Sequence, residues 1–166
     1  MFPLETPKPL LTLAGRAILE RTLSQLEGLV DEVIVVAGEK KGEVERFLEG
    51  HSRWDFRIAI AEQKDQKGTF HALLQAEPLL EGRFLVLNGD DLYSREDIAA
   101  ALESRRCILV CRVDSPERFG IVEEDRGMLK RIVEKPPSPA GNLVNTGLFV
   151  LDTEIFDRQV KPSARG

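Results

Sequence analysis

The stretch "RFLVLNGDDLYS", residues 83–94, sets an apolar run directly against two adjacent carboxylates. Residues 84–87 are all apolar and favour burial as a strand, whereas Asp90 and Asp91 favour contact with water. Gly89 lets the backbone leave the strand sharply. The stretch therefore predicts a core strand that ends in a polar turn, and the rest of the fold can be worked out from this strand.

On both sides of this stretch, the hydrophobic period alternates between that of a strand and that of a helix. Predicted strands cover 32–38, 56–62, 83–88 and 107–113, and predicted helices cover 15–30, 42–50, 68–80 and 94–104. The helix over 94–104 opens with Ser94 as its N-cap. The β-branched run at 32–38 is typical of a strand buried on both faces. This alternation predicts a Rossmann-like α/β fold, a mostly parallel mixed sheet flanked by helices.

The last third of the chain has a different pattern. Three strand-like runs, "FGIVEED", "GMLKRIVEK" and "NLVNTGLFVLD", follow residue 113, and no helical segment separates the first two. The sequence Asp125-Arg126-Gly127 is typical of a tight hairpin turn. We therefore expect a β-rich C-terminal part on the same sheet, so that residues 1–166 form a single domain.

Composition and charge exclude several functional classes. The chain has 166 residues, of which 42% are hydrophobic and 31% charged, with a net charge of −5. It contains no Lys/Arg-rich block, which argues against nucleic acid as a partner. No apolar run approaches the roughly 18 residues that a membrane span needs. The first residues lack the pattern of a secretory signal, so we expect a cytoplasmic protein with no membrane partner.

The acidic pair lies where a ligand is expected. Open α/β sheets bind ligands beyond the carboxyl ends of their strands. A carboxylate at that position can hold Mg²⁺, which takes oxygen ligands and bridges phosphates. Asp90 is nearer the strand end and is the better metal ligand, while Asp91 orients backbone or water. The alternative is that an aspartate here simply caps the following helix.

Two further segments carry groups that suit a nucleotide. Lys8 lies between two prolines, which fix the direction of its ammonium toward an anion such as phosphate. Gln63 and Gln66 offer the paired donors and acceptors that a nucleobase edge requires. Gly68 permits close backbone approach at the start of a helix, where phosphate is favoured. The alternatives are a solvated loop lysine and a polar loop that ends in a capping threonine.

Three segments near the C-terminus suit a phosphorylated sugar. Glu134 could accept hydrogen bonds from sugar hydroxyls, and Lys135 could pair with a sugar phosphate. Asn145 and the nearby Gly147 interrupt an apolar strand, which favours close approach of a ligand. Gly120 is placed in the same way in "ERFGIVEED". The alternative for the charged pair is an ordinary exposed strand end.

Taken together and in order, these segments resemble the sugar-1-phosphate nucleotidyltransferases, or NDP-sugar pyrophosphorylases. The matching segments are Pro7-Lys8-Pro9, Gln63 to Gly68-Thr69, Asn88-Gly89-Asp90-Asp91, Phe119-Gly120, Glu134-Lys135-Pro136 and Asn145-Thr146-Gly147. The resemblance implies an enzyme that transfers a nucleotidyl group from an NTP to a sugar 1-phosphate. The products would be an NDP-sugar and pyrophosphate, and the cofactor would be Mg²⁺.

The resemblance also implies roles for individual residues. Lys8 would contact the NTP phosphates, Asp90 would bind Mg²⁺, and Lys135 would hold the sugar phosphate, so that these three form the catalytic set. The implied substrate-binding residues are Gln63, Gln66 and Gly68 for the base, and Gly120, Glu134 and Asn145 for the sugar. Neither the base nor the sugar is specified, because Gln63 is compatible with uracil, thymine or guanine.

The resemblance also implies a departure from the family pattern at each end of the sequence. The family has an N-terminal strand with a Gly-rich loop, and a second metal-binding aspartate beyond the "NTG" strand. We expect this chain to lack both regions. Loss of a central strand leaves neighbouring backbone groups unpaired and favours homo-oligomers.

Three functions stay open at this point. The first is the nucleotidyltransferase itself, as a whole enzyme or as part of one. The second is a catalytically impaired remnant that binds nucleotide and sugar phosphate without turnover. The third is a GT-A-type glycosyltransferase, in which acidic residues after a strand also hold a metal. The Pro-Lys-Pro and Glu-Lys-Pro segments argue against the third, because they suit an incoming sugar phosphate.

Overall fold

The computed structural model describes residues 6–51 and 54–158. Within this part there are four α-helices: α1 (Ile18–Leu26), α2 (Lys41–Glu49), α3 (Thr69–Ala76) and α4 (Arg95–Leu102). The strands are β1 (Thr12–Leu13), β2 (Arg16–Ala17), β3 (Glu32–Ala37), β4 (Arg57–Glu62), β5 (Arg83–Val86), β6 (Cys107–Arg112), β7 (Gly120–Asp125), β8 (Met128–Glu134) and β9 (Leu143–Asp152). Each predicted strand and helix therefore corresponds to an observed one, with shifts of a few residues at the ends.

The strands form three hydrogen-bonded sheets in the described part of the chain. β1 and β2 make a short antiparallel hairpin. β3 and β4 pair in parallel, with Glu32 opposite Arg57 and Ala37 opposite Glu62. The largest sheet has the order β5-β9-β7-β8, and β6 also pairs with β9. All the pairings in this sheet are antiparallel.

The expectation of a mostly parallel sheet is wrong for these strands. Between residues 6 and 158, as described, β3 and β4 are the one parallel pair. The reason is β9, the longest strand, which lies between β5 and β6 and runs antiparallel to both. The predicted mixed α/β class and the β-rich C-terminal part are confirmed.

Several described strands have an edge that no other described strand covers, and β3 and β5 are two of them. In the ranges that the structure describes, β3 pairs with β4 alone and β5 pairs with β9 alone. In β3, Glu32 is exposed, residues 33–36 are half-buried and Ala37 is fully buried. The predicted burial of this strand on both faces is therefore met only in part, since successive residues 33–36 point to opposite faces and are half-buried on both.

The core lies between the helices and the sheets. Leu19, Leu23 and Leu26 fall on one face of α1, as the spacing of three and four residues predicts. They join Ile98 of α4 and Leu148 of β9 in one cluster of buried side chains. Full burial of a side chain of this size contributes about 1.5–3 kcal/mol.

Local signals at the helix and hairpin ends behave as predicted. The Ser94 hydroxyl accepts a hydrogen bond from the Asp97 backbone N–H at 3.0 Å, which confirms it as the N-cap of α4. Arg126 and Gly127 have φ of 53° and 78°, the conformation that a tight β7–β8 turn requires. None of the described helices is long and apolar enough to span a membrane.

Candidate active site

Polar residues collect just beyond the carboxyl end of β5. Asn88 to Asp91 form the turn that follows this strand. Val86, the last residue of β5, pairs with Phe149 of the antiparallel β9. The residues of β9 that precede Phe149 therefore extend past the end of β5 and meet the same turn. The turn after β5 and this part of β9 therefore lie together at one end of the largest sheet.

Lys8 and Asp90 form an ion pair at this edge. The Lys8 Nζ lies 3.3 Å from the Asp90 Oδ2, although 82 positions separate the two residues in sequence. Both side chains are accessible, with 64% of Lys8 and 45% of Asp90 exposed. Pro9 contributes to this placement, because its Cγ lies only 3.4 Å from where a Cβ on Gly89 would be. A cation and a carboxylate thus stand side by side, open to solvent.

The turn is held in place by a close contact with β9. A Cβ on Gly147 would lie 2.0 Å from the Asn88 Nδ2, so the asparagine side chain occupies the space that glycine leaves. The same Nδ2 donates a hydrogen bond to the Asp91 Oδ2 at 3.0 Å. The gap in the apolar strand at Gly147 is therefore filled by the Asn88 side chain, which Asp91 holds through this hydrogen bond.

A bulge on β9 shapes this side of the site. Asn145 pairs with Val110 of β6, and Phe149 pairs with Ile108, so three residues of β9 oppose the single residue Leu109. Within the bulge, the Asn145 Oδ1 accepts a hydrogen bond from the Gly147 N–H at 2.8 Å. Bulges re-aim side chains and are frequent beside active sites.

A second group of predicted residues meets at the ends of β7 and β8. A Cβ on Gly120 would lie 3.0 Å from the Glu134 Oε2 and 3.8 Å from the Asn145 Cβ. Lys135 follows Glu134, and its Nζ lies 3.6 Å from the Glu134 Oε1. Lys135 has φ of 42°, and its N–H bonds to the Phe119 carbonyl. A non-glycine residue in this strained region is more frequent at functional sites than elsewhere.

The predicted base-binding residues form a third group, at the carboxyl ends of β3 and β4. The Gln63 N–H bonds to the Ala37 carbonyl, and its Nε2 donates to the Gly68 carbonyl at 3.2 Å. Gly68 has φ of 94° directly before α3, so this position requires glycine for the backbone alone. The Gln66 Nε2 lies against Gly38, 3.3 Å from where a Cβ would be.

The structure thus brings the predicted residues together in three groups. Lys8 meets Asp90, and Glu134 meets Gly120, which in turn lies beside Asn145 on β9. In the described ranges, no hydrogen bond or ion pair connects the Gln63 group with the other two. The first two groups both contact β9, because Gly147 in the bulge packs against Asn88 of the Asp90 turn and the adjacent Asn145 lies beside Gly120.

Two residues that the sequence pattern did not single out contribute to these groups. His71 places its Nδ1 3.1 Å from the Gln63 Nε2. The Tyr93 hydroxyl accepts a hydrogen bond from the Asn88 N–H at 3.2 Å and donates one to the Thr146 carbonyl at 3.0 Å. Burial raises the pKa of Tyr93 to about 12. An aromatic residue after an apolar strand carries no local signal for such a bridge.

The donor set at Asp90 fits Mg²⁺ that arrives with a phosphate ligand. The described residues contain no group of three His, Cys, Asp or Glu side chains arranged around one point. Mg²⁺ is usually held by one or two carboxylates together with substrate phosphates and water. The exposed Asp90 carboxylate, with Lys8 beside it for an anion, suits that mode of binding.

Known proteins resemble this chain over its whole length. The model of the nucleotidyl transferase family matches residues 2–166. The bifunctional protein GlmU of Methanocaldococcus jannaschii is 32% identical over 163 residues, which make up 96% of this chain and 39% of that protein. The UTP–glucose-1-phosphate uridylyltransferase AglF of Haloferax volcanii is 33% identical, over 98% of this chain and 71% of that protein.

A solved crystal structure has a similar fold. It comes from Bacillus anthracis and is described as a "putative glucose-1-phosphate thymidylyltransferase" in complex with a sucrose. It superposes with a TM-score of 0.86 at 26% identity, covering 100% of this chain and 72% of the other. This chain spans about two fifths of the length of the GlmU proteins that it matches. The chain belongs to the nucleotidyl transferase family, and its relatives include sugar-1-phosphate nucleotidyltransferases.

Proposed function

We propose that this chain binds an NTP and a sugar 1-phosphate and, with Mg²⁺, transfers the nucleotidyl group between them. The observation that carries the proposal is the Lys8–Asp90 pair beyond the end of β5. An exposed ammonium next to an exposed carboxylate offers one group for phosphate oxygens and another for a cation. The resemblance to a uridylyltransferase and a thymidylyltransferase supports this choice of substrates.

The reaction needs no covalent intermediate with the enzyme. A phosphate oxygen of the sugar 1-phosphate attacks the α-phosphorus of the NTP and forms a new P–O bond. The bond from the α-phosphorus to the oxygen that bridges it to the β-phosphate breaks, and pyrophosphate leaves with that electron pair. The protein therefore acts by positioning and by neutralising charge.

Each group of residues then has a task in the transfer. Lys8 binds phosphate oxygens of the NTP, and Asp90 holds the Mg²⁺. When bound, Mg²⁺ neutralises charge on the triphosphate and on the leaving pyrophosphate. Lys135 binds the phosphate of the incoming sugar, and its left-handed backbone directs the side chain away from the regular course of β8. The exposed Lys8 and Lys135 act as point charges on phosphate.

The remaining predicted residues recognise the rest of the two substrates. Glu134 and Asn145 supply acceptors and donors for sugar hydroxyls, and Gly120 leaves the space that the Glu134 carboxylate occupies beside it. Gln63 and Gln66 present amides to the base. Gly68 has no side chain, so a ligand can approach the backbone closely at the start of α3. Its role in ligand binding adds to the conformational reason for glycine at that position.

The chain also suits a reducing compartment. Cys107 and Cys111 are free thiols, and structural disulfides are rare in the cytoplasm. We therefore assign the activity to the cytoplasm.

One assay separates the candidate functions. The purified chain is incubated with each NTP, a panel of sugar 1-phosphates and Mg²⁺, and the pyrophosphate released is measured. Release that requires both the sugar phosphate and Mg²⁺ supports the proposal. Ligand binding without release identifies a binding remnant, and transfer from an NDP-sugar to an acceptor identifies a glycosyltransferase. Either of these two results would overturn the proposed transfer.

A further inference from the structure

The Tyr93 hydroxyl is shared between the two halves of the candidate site. It accepts a hydrogen bond from the Asn88 N–H at 3.2 Å and donates one to the Thr146 carbonyl at 3.0 Å. Asn88 opens the turn that carries Asp90, and Thr146 lies in the bulge next to Asn145. A single oxygen atom thus connects the turn on the metal side with the strand on the sugar side.

The bulge explains why the Thr146 carbonyl can accept this bond. Three residues of β9 oppose only Leu109 of β6, so the regular ladder is interrupted at Thr146. The Thr146 hydroxyl donates to the Leu109 carbonyl at 2.9 Å and fixes this residue to β6. The tyrosine therefore bonds to a backbone group that its neighbours hold in place.

The other end of the tyrosine is also fixed. Its ring packs against the hydrophobic core, and the next residue, Ser94, caps α4. A phenol is protonated at neutral pH and burial raises the pKa of Tyr93 further, to about 12, so the hydroxyl retains the proton that it donates to Thr146. Tyr93 is therefore a rigid link between the core and both sides of the site.

We propose that Tyr93 is a positioning residue whose hydroxyl sets the distance between the Asp90 turn and Asn145, without touching substrate. The contact itself is independent of the proposed function, whereas its effect on turnover rests on that function. A small displacement between groups that must hold two substrates in line is enough to reduce the rate.

The test uses Tyr93→Phe, which removes the hydroxyl and keeps the ring. The matched control is Thr22→Val in α1, which removes a buried hydroxyl that bonds to the Ile18 carbonyl. Backbone amide hydrogen exchange is followed by NMR in both variants and in the unmodified chain. We expect the Asn88 amide to exchange about fivefold faster or more in Tyr93→Phe, because its acceptor is lost. In Thr22→Val, the exchange rate of the Asn88 amide should change no more than the rates of the amides in β3 and β4.

Turnover provides a second readout. We expect Tyr93→Phe to lower kcat about tenfold, with a smaller change in KM for the NTP, since alignment rather than binding is lost. Equal falls of kcat in both variants would reduce Tyr93 to a stability role and overturn the proposal. An unchanged Asn88 amide in Tyr93→Phe, or an unprotected one in the unmodified chain, would also overturn it. Faster Asn88 exchange in a chain that releases no pyrophosphate would reject the proposed function and keep the contact.

Discussion

Replacing Gly147 by alanine tests the contact on which the geometry of the site depends. Gly147 has φ of 81°, and a left-handed backbone costs an L-residue about 1–2 kcal/mol. The new Cβ would lie 2.0 Å from the Asn88 Nδ2 and 2.6 Å from its Cγ. Displacing a packed side chain costs about 1–3 kcal/mol. Losing the Asn88–Asp91 hydrogen bond adds about 0.5–1.5 kcal/mol.

The matched control is Gly127→Ala in the β7–β8 turn. Gly127 has nearly the same φ, 78°, but no atom lies within 4 Å of where its Cβ would be. Gly127→Ala therefore measures the effect of alanine on the left-handed backbone and on the unfolded chain, without any side-chain clash. We expect Gly147→Ala to lower the free energy of unfolding by about 2–4 kcal/mol more than Gly127→Ala does.

Urea denaturation, followed by the fluorescence of Trp54, the single tryptophan, measures both changes. Asn88→Ala closes the cycle, because it removes all three atoms that the new Cβ would meet. In the Asn88→Ala variant, Gly147→Ala should lower the free energy of unfolding by no more than Gly127→Ala does. If the two glycine substitutions differ by less than about 0.5 kcal/mol in the unmodified chain, the Asn88–Gly147 contact does not exist as described.

Three further predictions concern charge and protonation. Asp90→Asn should abolish Mg²⁺-dependent pyrophosphate release. The free energy of unfolding should change little, because exposed ion pairs such as Lys8–Asp90 contribute about 0–1 kcal/mol. Asp125→Asn is the control with the same change of charge. Lys135→Ala should raise KM for the sugar 1-phosphate roughly tenfold and KM for the NTP by less. The control, Lys130→Ala, should change neither KM. Equal effects of Lys135→Ala on both KM values would contradict the assigned role. Tyr93 is the single tyrosine, so its phenolate absorbance should titrate at about 12 in the folded chain and near 10.0 after unfolding. Because the pKa of Tyr93 is higher in the folded chain, the contribution of its phenol to stability is complete below pH 10 and is lost as the pH rises toward 12. A titration midpoint near 10 in the folded chain would show that the phenol is not buried.

Local signals in the sequence predicted most of the elements. The period of three and four residues placed Leu19, Leu23 and Leu26 on the buried face of α1. The N-cap at Ser94 and the turn at Arg126-Gly127 each depend on one or two residues with strong backbone preferences. Such features are set by neighbouring residues, and a single sequence contains all that is needed to see them.

The pairing of strands could not be predicted in the same way. β9 lies between β5 and β6, although it is far from both along the chain, and nothing in its local pattern states its neighbours. The same limit applies to the site. Gly147 stood out as a glycine within an apolar strand, but its partner Asn88 is 59 positions away and became visible only in three dimensions. Tyr93 and His71 were missed for the same reason.

The bulge on β9 also determines where this scaffold tolerates change. Asn88 and Gly147 fit against each other so closely that neither can be enlarged alone. β8, by contrast, is an edge strand whose side chains are mostly exposed. A mutant library aimed at accepting other ligands would therefore retain more folded members if it varied the end of β8 than if it varied the bulge.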